Sequence, residues 1–102
     1  MGNNKISLNI YRTVETGNIG GDLGIGMGSV CGGSFGKNID EAVGTVIKYI
    51  SQRTHLLKTP VEMRIHSRAS GFFGNTGFDK RTLDYIASGI KEVYNGMNVI
   101  VD

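Results

Sequence analysis

From Arg64 to Arg81 the chain collects four cations, a histidine, three phenylalanines and a run of glycines, in the stretch RIHSRASGFFGNTGFDKR. Arginines, flexible glycines and aromatic faces together suit the capture of an anion, and of a nucleotide or single-stranded nucleic acid in particular. Arg64, His66 and Arg68 approach from the end of a strand. Lys80 and Arg81 fall in the first turn of a helix, where the positive end of the macrodipole disfavours cations that lack an anionic partner. Gly74, Asn75, Thr76 and Gly77 supply freely turning backbone, so successive N–H groups can point at an anion. Phe72, Phe73 and Phe78 offer faces on which a base stacks. The expected site is therefore a strand, a loop and a helix N-terminus over residues 64–81. Two plainer readings compete with it: phenylalanines that anchor the loop in the core with solvated charges around them, or a surface that contacts another protein.

The elements that must position these residues follow from periodicity. Val61, Met63 and Ile65 alternate with Glu62, Arg64 and His66, the period-2 pattern of a half-buried strand. Leu83, Ile86, Ala87, Ile90 and Val93 recur at helical spacing after Asp79, an N-cap residue, and Asn95-Gly96 supplies a left-handed stop. Upstream, Ile6, Leu8 and Ile10 alternate with Ser7, Asn9 and Tyr11 in a first strand running to about Val14. Glu15 to Asp22 reads as a turn into an antiparallel return. In that return strand Leu23, Ile25 and Met27 alternate with Gly24, Gly26 and Gly28, so one face is apolar and the other bare. A packed helix is the first explanation, and a second subunit or a flat ligand are the others. A third short strand covers Ser29 to Phe35. Asn38 and Glu41 form a capping box for a helix with Ile39, Ala42, Val43, Val46, Ile47 and Ile50 on its buried face, and residues 97–101 make a last strand. The predicted fold is one α+β domain over residues 1–102, with a polar tail at 1–4. It has a mixed sheet of four or five strands in the order β-β-β-α-β-α-β and two helices packed on the sheet.

Composition narrows the function. With 102 residues, a net charge of +2 and no apolar run of membrane length, the chain reads as a small intracellular, cytoplasmic domain whose charge is too slight to make nucleic acid the default partner. Nine of its 16 glycines fall at 17, 20, 21, 24, 26, 28, 32, 33 and 36. The lone Cys31 can form no internal disulfide and reads as a small buried apolar residue. Converging carboxylates, a nucleophile elbow, a metal-ligand helix and a Walker loop are all missing, so a non-enzyme without metal or cofactor is expected.

The element order resembles the ribonuclease H-like fold. Gly17-Asn18-Ile19-Gly20 followed by Gly24-Ile25-Gly26 is similar to that family's glycine turn after its first strand. Glu41, His66-Ser67 and Asp84 fall where its first-helix glutamate, fourth-strand Asp-Ser and last-helix aspartate would lie. Arg12 and His66 stand at the two aspartate positions, so the resemblance implies a degenerate relative that binds without cutting. The expected function is a non-catalytic module for a nucleotide or nucleic acid. The alternative is a small inhibitor or adaptor of the kind phages and mobile elements encode, acting on a protein target. A homo-oligomer is expected in either case, because the bare face and an exposed sheet edge invite a symmetric partner.

Overall fold

The computed structural model describes residues 4–26, 29–53, 55, 60–68 and 76–102. Its elements run β1 (Lys5–Arg12), β2 (Ile19–Ile25), β3 (Ser29–Gly36), α1 (Ile39–Ser51), β4 (Glu62–His66), β5 (Thr76–Gly77), α2 (Lys80–Val93) and β6 (Asn98–Val101). The chain is one α+β domain, as its periodicities predict. The sheet order is β3-β2-β1-β4-β6, with the two-residue β5 paired to the end of β1. β1 runs antiparallel to β2 and parallel to β4, and β4 runs parallel to β6. The sheet is therefore mixed. It has one strand more than the four or five expected, because a two-residue strand is too short to show a period.

Alternation decides which face is buried. Ile6, Leu8 and Ile10 of β1, Leu23 and Ile25 of β2, and Met63 and Ile65 of β4 are all but inaccessible to solvent. Ala42, Val46 and Ile50 of α1 and Leu83, Ile86 and Ile90 of α2 pack on them. Each of these side chains larger than alanine contributes roughly 1.5–3 kcal/mol on burial. Both helices lie on this face and touch each other, with the Tyr94 hydroxyl donating to the Ile47 carbonyl at 3.2 Å. The glycine-bared face of β2 is the opposite one, so helix packing is not what covers it.

The predicted caps are present. The Asn38 side chain accepts from the Glu41 N–H at 2.9 Å, and the Glu41 carboxylate accepts from the Asn38 side-chain Nδ2 at 3.2 Å and from the Lys37 backbone N–H at 3.4 Å. Asp79 accepts from the Thr82 N–H at 2.9 Å and from its hydroxyl at 2.8 Å.

Other details differ from the pattern. The turn ends by Asn18, and residues 19–22 already belong to β2, with Asp22 opposite Asn9. The glycines at 20 and 21 make close approaches there and do not turn the chain. β1 stops at Arg12, short of Val14. β2 leaves its ladder at Gly26, whose φ of +65° suits glycine, while Met27 and Gly28 lie outside the described residues. α2 ends at Val93, which is 55% exposed and so belongs outside the buried stripe. Gly96 is not in the left-handed region. The chain leaves the helix through Tyr94, whose carbonyl accepts from the Met97 N–H at 2.9 Å. The side chain of Cys31 and all of residues 71–75 lie outside the description.

Two glycines of β2 separate fold from surface. A Cβ on Gly21 would run into the backbone carbonyl of Asn9, whereas one on Gly24 would meet nothing closer than the Ser7 carbonyl at 4.0 Å. Gly21→Ala is expected to destabilise by at least about 1–3 kcal/mol. Gly24→Ala should be neutral or gain up to ~1 kcal/mol by removing a mid-strand glycine. Denaturant midpoints of the two variants check this, and equal costs would show that Gly24 is as constrained as Gly21.

Candidate functional site

The parallel pairing of β1 with β4 sets Lys5 opposite Glu62, Ser7 opposite Arg64 and Asn9 opposite His66. These residues alternate with the buried Ile6, Leu8, Met63 and Ile65, so they project from the uncovered face of the sheet. Across β1 from Ser7 lies Gly24. The outcome is a groove of about 360 Å³ with Ser7, Gly24 and Gly26 along it and Arg64, His66 and Arg68 on one side. Three of the expected site residues thus share one surface with the bare glycines, a juxtaposition that follows from strand pairing.

Its charges are only partly matched. Lys5 Nζ lies 2.6 Å from Glu62 Oε2, and Arg64 lies 3.8 Å from the same carboxylate and 3.7 Å from Asp102. The hydrogen bond from Lys5, aided by the charges of Lys5 and Arg64, holds the Glu62 carboxyl below its ordinary range. Among the described residues, nothing hydrogen-bonds or ion-pairs with the side chains of His66 and Arg68.

Both ends of the intervening loop are tied to β1. The Ser67 hydroxyl donates to the Ile10 carbonyl and accepts from the Phe78 N–H at 2.7 Å. The Asn9 side chain accepts from the Arg68 N–H at 2.8 Å. Thr76 and Gly77 then pair with Arg12 and Tyr11 as β5. Phe72, Phe73, Gly74 and Asn75 lie outside the described residues. Phe78 packs against the core, with the Arg12 guanidinium 5.6 Å from its ring centre, and so is not a free stacking face. Among the described residues, Tyr11 is an aromatic on the uncovered face, since it alternates with the buried Ile10. Its ring lies 3.5 Å from where a Gly20 Cβ would stand.

The helix cations stand elsewhere. Arg81 lines a cleft of about 520 Å³ between the two helix N-termini with Arg12, Asn38, Thr82 and Tyr85, and Asp40 already brings a carboxylate there. The Tyr85 hydroxyl donates to Asp40 at 2.7 Å, and that carboxylate raises the phenol above its ordinary range. Lys80 lies beside Asp84, Ser88 and Lys91 along β6. The single strand-loop-helix site therefore resolves into a strand-side groove and two helix-side clefts. Ser67, Asn9, Tyr11 and Lys5 were missed as site residues. Period-2 places Tyr11, Asn9 and Lys5 on the polar face, but their neighbours across the sheet depend on strand pairings that no local pattern encodes.

Glu41, His66 and Asp84 do not meet. Glu41 serves the α1 cap, and among the described residues no three His, Cys, Asp or Glu side chains are grouped to hold a metal ion. No helix among those residues is long and apolar enough to cross a membrane. No protein-family model, curated protein or solved structure matches the chain, so function is argued from the groove itself.

Ser67→Ala leaves two partly buried backbone groups without their partner, and an expected loss of about 1–3 kcal/mol is checked by chemical unfolding. A loss below the resolution of that measurement would mean that water replaces the hydroxyl. Asp79 is held below the ordinary aspartate range, chiefly by the Thr82 N–H and then by its hydroxyl. Because the folded values of Glu62 and Asp79 are depressed, their contribution is complete above the ordinary carboxylate range and is lost as the pH falls through the folded values. The melting temperature should fall between about pH 5 and about pH 3. The double variant Glu62→Gln, Asp79→Asn should show a shallower fall, and an unchanged slope would remove these two carboxyls as the cause.

Proposed function

We propose that the chain is a non-catalytic binding module that captures an anionic ligand of the nucleotide or single-stranded nucleic-acid class on the uncovered sheet face. One observation carries this reading. Among the described residues, His66 and Arg68 have no partner for their side chains, and they line the same groove as Gly24, a strand position where the fold has room for a side chain but none is present. A mid-strand glycine costs about 0.5–1 kcal/mol relative to alanine, so a bare position such as Gly24, which packing does not need, is a surface property. It lets a flat group lie against the backbone, while Arg68, His66 and Arg64 meet the negative charge. Tyr11 provides an aromatic on the same face. The ribonuclease H-like resemblance drawn from the sequence enters this reading as part of the proposal. His66 at an acid position then belongs to a groove that attracts phosphate instead of one that holds metal.

Thermal shift of the full chain with nucleoside phosphates and with short RNA and DNA strands tests the proposal. A ligand at 100 times its dissociation constant stabilises by about 2.7 kcal/mol. Arg68→Ala and His66→Ala should remove most of that shift, and Gly24→Val should block it by filling the strip. Lys80→Ala and Arg81→Ala should retain it. Binding should weaken as salt rises. No shift with any of these ligands would overturn the reading in favour of a protein target. A shift lost on Arg81→Ala but kept in Arg68→Ala would move the site to the cleft between the helices.

A further inference from the structure

The first strand of the sheet order, β3, pairs with β2 on one side only. Eight residues long, it reads SVCGGSFG and carries neither a charge nor a proline, two of the usual guards of an exposed edge; a third, a bulge, is present only near its end. Its last part is tied to α1. Ile19 pairs with Gly36 and Gly20 with Ser34, so Phe35 is the extra residue of a bulge, and its carbonyl accepts from the Thr45 hydroxyl at 2.7 Å. Upstream of Phe35, no second strand among the described residues pairs with the strand's free side.

We propose that two copies of this chain associate through β3, running antiparallel about a two-fold axis, so that the two sheets become one. Symmetry restricts the register. An axis perpendicular to the sheet keeps both uncovered faces on the same side, so paired residues must share a face and the axis must pass through a residue. Asp22 then selects among the possibilities. Its carboxylate leans over Gly32, with Oδ1 2.8 Å from where a Gly32 Cβ would stand, and has no hydrogen-bond or ion-pair partner among the described residues. An axis through Gly32 would bring two such carboxylates together. An axis through Gly33 sets Gly32 opposite Ser34 of the second copy, placing each carboxylate beside an exposed hydroxyl that can donate to it. The interaction occurs twice by symmetry.

The opposite edge fits a second copy less well. β6 has four residues, and its flank carries Lys80 and Lys91 of α2, which a two-fold would set against their own copies. The β3 proposal stands apart from the ligand groove, whose residues on β1 and β4 it does not use.

Sedimentation of the full chain over a range of micromolar concentrations tests the proposal, with circular dichroism confirming that each variant is folded. The wild-type chain is expected to dimerise. Ser34→Asp sets a carboxylate against Asp22 of the other copy at two symmetric positions and should weaken the dimer about tenfold. The double variant Asp22→Lys, Ser34→Asp exchanges repulsion for attraction and should restore it. Ile100→Lys on β6 should leave it unchanged. A strict monomer at tens of micromolar, a dimer indifferent to Ser34→Asp, a double variant that fails to recover, or a dimer lost on Ile100→Lys would each overturn the proposal.

Discussion

β1 must hydrogen-bond along both of its sides while burying one of its faces, and the rest of the chain is arranged around that requirement. A buried strand cannot leave its N–H and C=O groups unpaired, so both flanks are filled: β2 on one, β4 on the other, and β5 where β4 has ended. A short turn suffices for the antiparallel neighbour. The parallel neighbour needs a crossover, and α1 supplies it, which brings Ala42, Val46 and Ile50 over Ile6, Leu8 and Ile10. α2 serves the second parallel pair in the same way and lies beside α1. One covered face and one open face result from having both crossovers on the same side.

That placement leaves a polar surface whose charges are arranged by strand pairing. Lys5, Glu62, Arg64 and Asp102 come from both ends of the chain and three different parts of the sheet, yet their charges alternate in sign across neighbouring positions. Exposed pairs of this kind each contribute at most about 1 kcal/mol, so they do little to hold the fold. Their effect is local. They use up the charge of Lys5 and part of that of Arg64, which leaves the positive character of the groove at its His66 and Arg68 end.

The parts of this arrangement visible in the sequence are those set by local pattern. Ile6, Leu8 and Ile10 identified a half-buried strand because side chains alternate along an extended backbone. Asn38 and Asp79 identified helix starts because their short side chains satisfy N–H groups that no helical carbonyl reaches. Strand neighbours were not visible, since the paired residues of β1 and β4, such as Lys5 and Glu62, are far apart in the sequence and pair through backbone groups that every residue carries. Hence Arg64, His66 and Arg68 were recognised as a group, but their meeting with Ser7 and Gly24 was not. The role of Ser67 was hidden for the same reason. A serine after a strand is compatible with many turns, and only the approach of Ile10 and Phe78 makes its hydroxyl a bridge.

The helix cations show how a correct physical premise led to the wrong neighbours. Lys80 and Arg81 in the first turn of α2 do need negative charge nearby, because the helix N-terminus is itself positive. The chain supplies that charge internally. Asp79 caps the helix and is influenced by Arg81, Asp84 lies one turn beyond Lys80 in the same cleft, and Asp40 faces the cleft that Arg81 lines. An external anion is therefore not needed to explain either cation. No such internal answer exists for Arg68, whose backbone is fixed by Asn9 while its guanidinium has no partner among the described residues. The same electrostatic reasoning that first pointed to the helix thus points, with the geometry in place, to the strand side of the sheet.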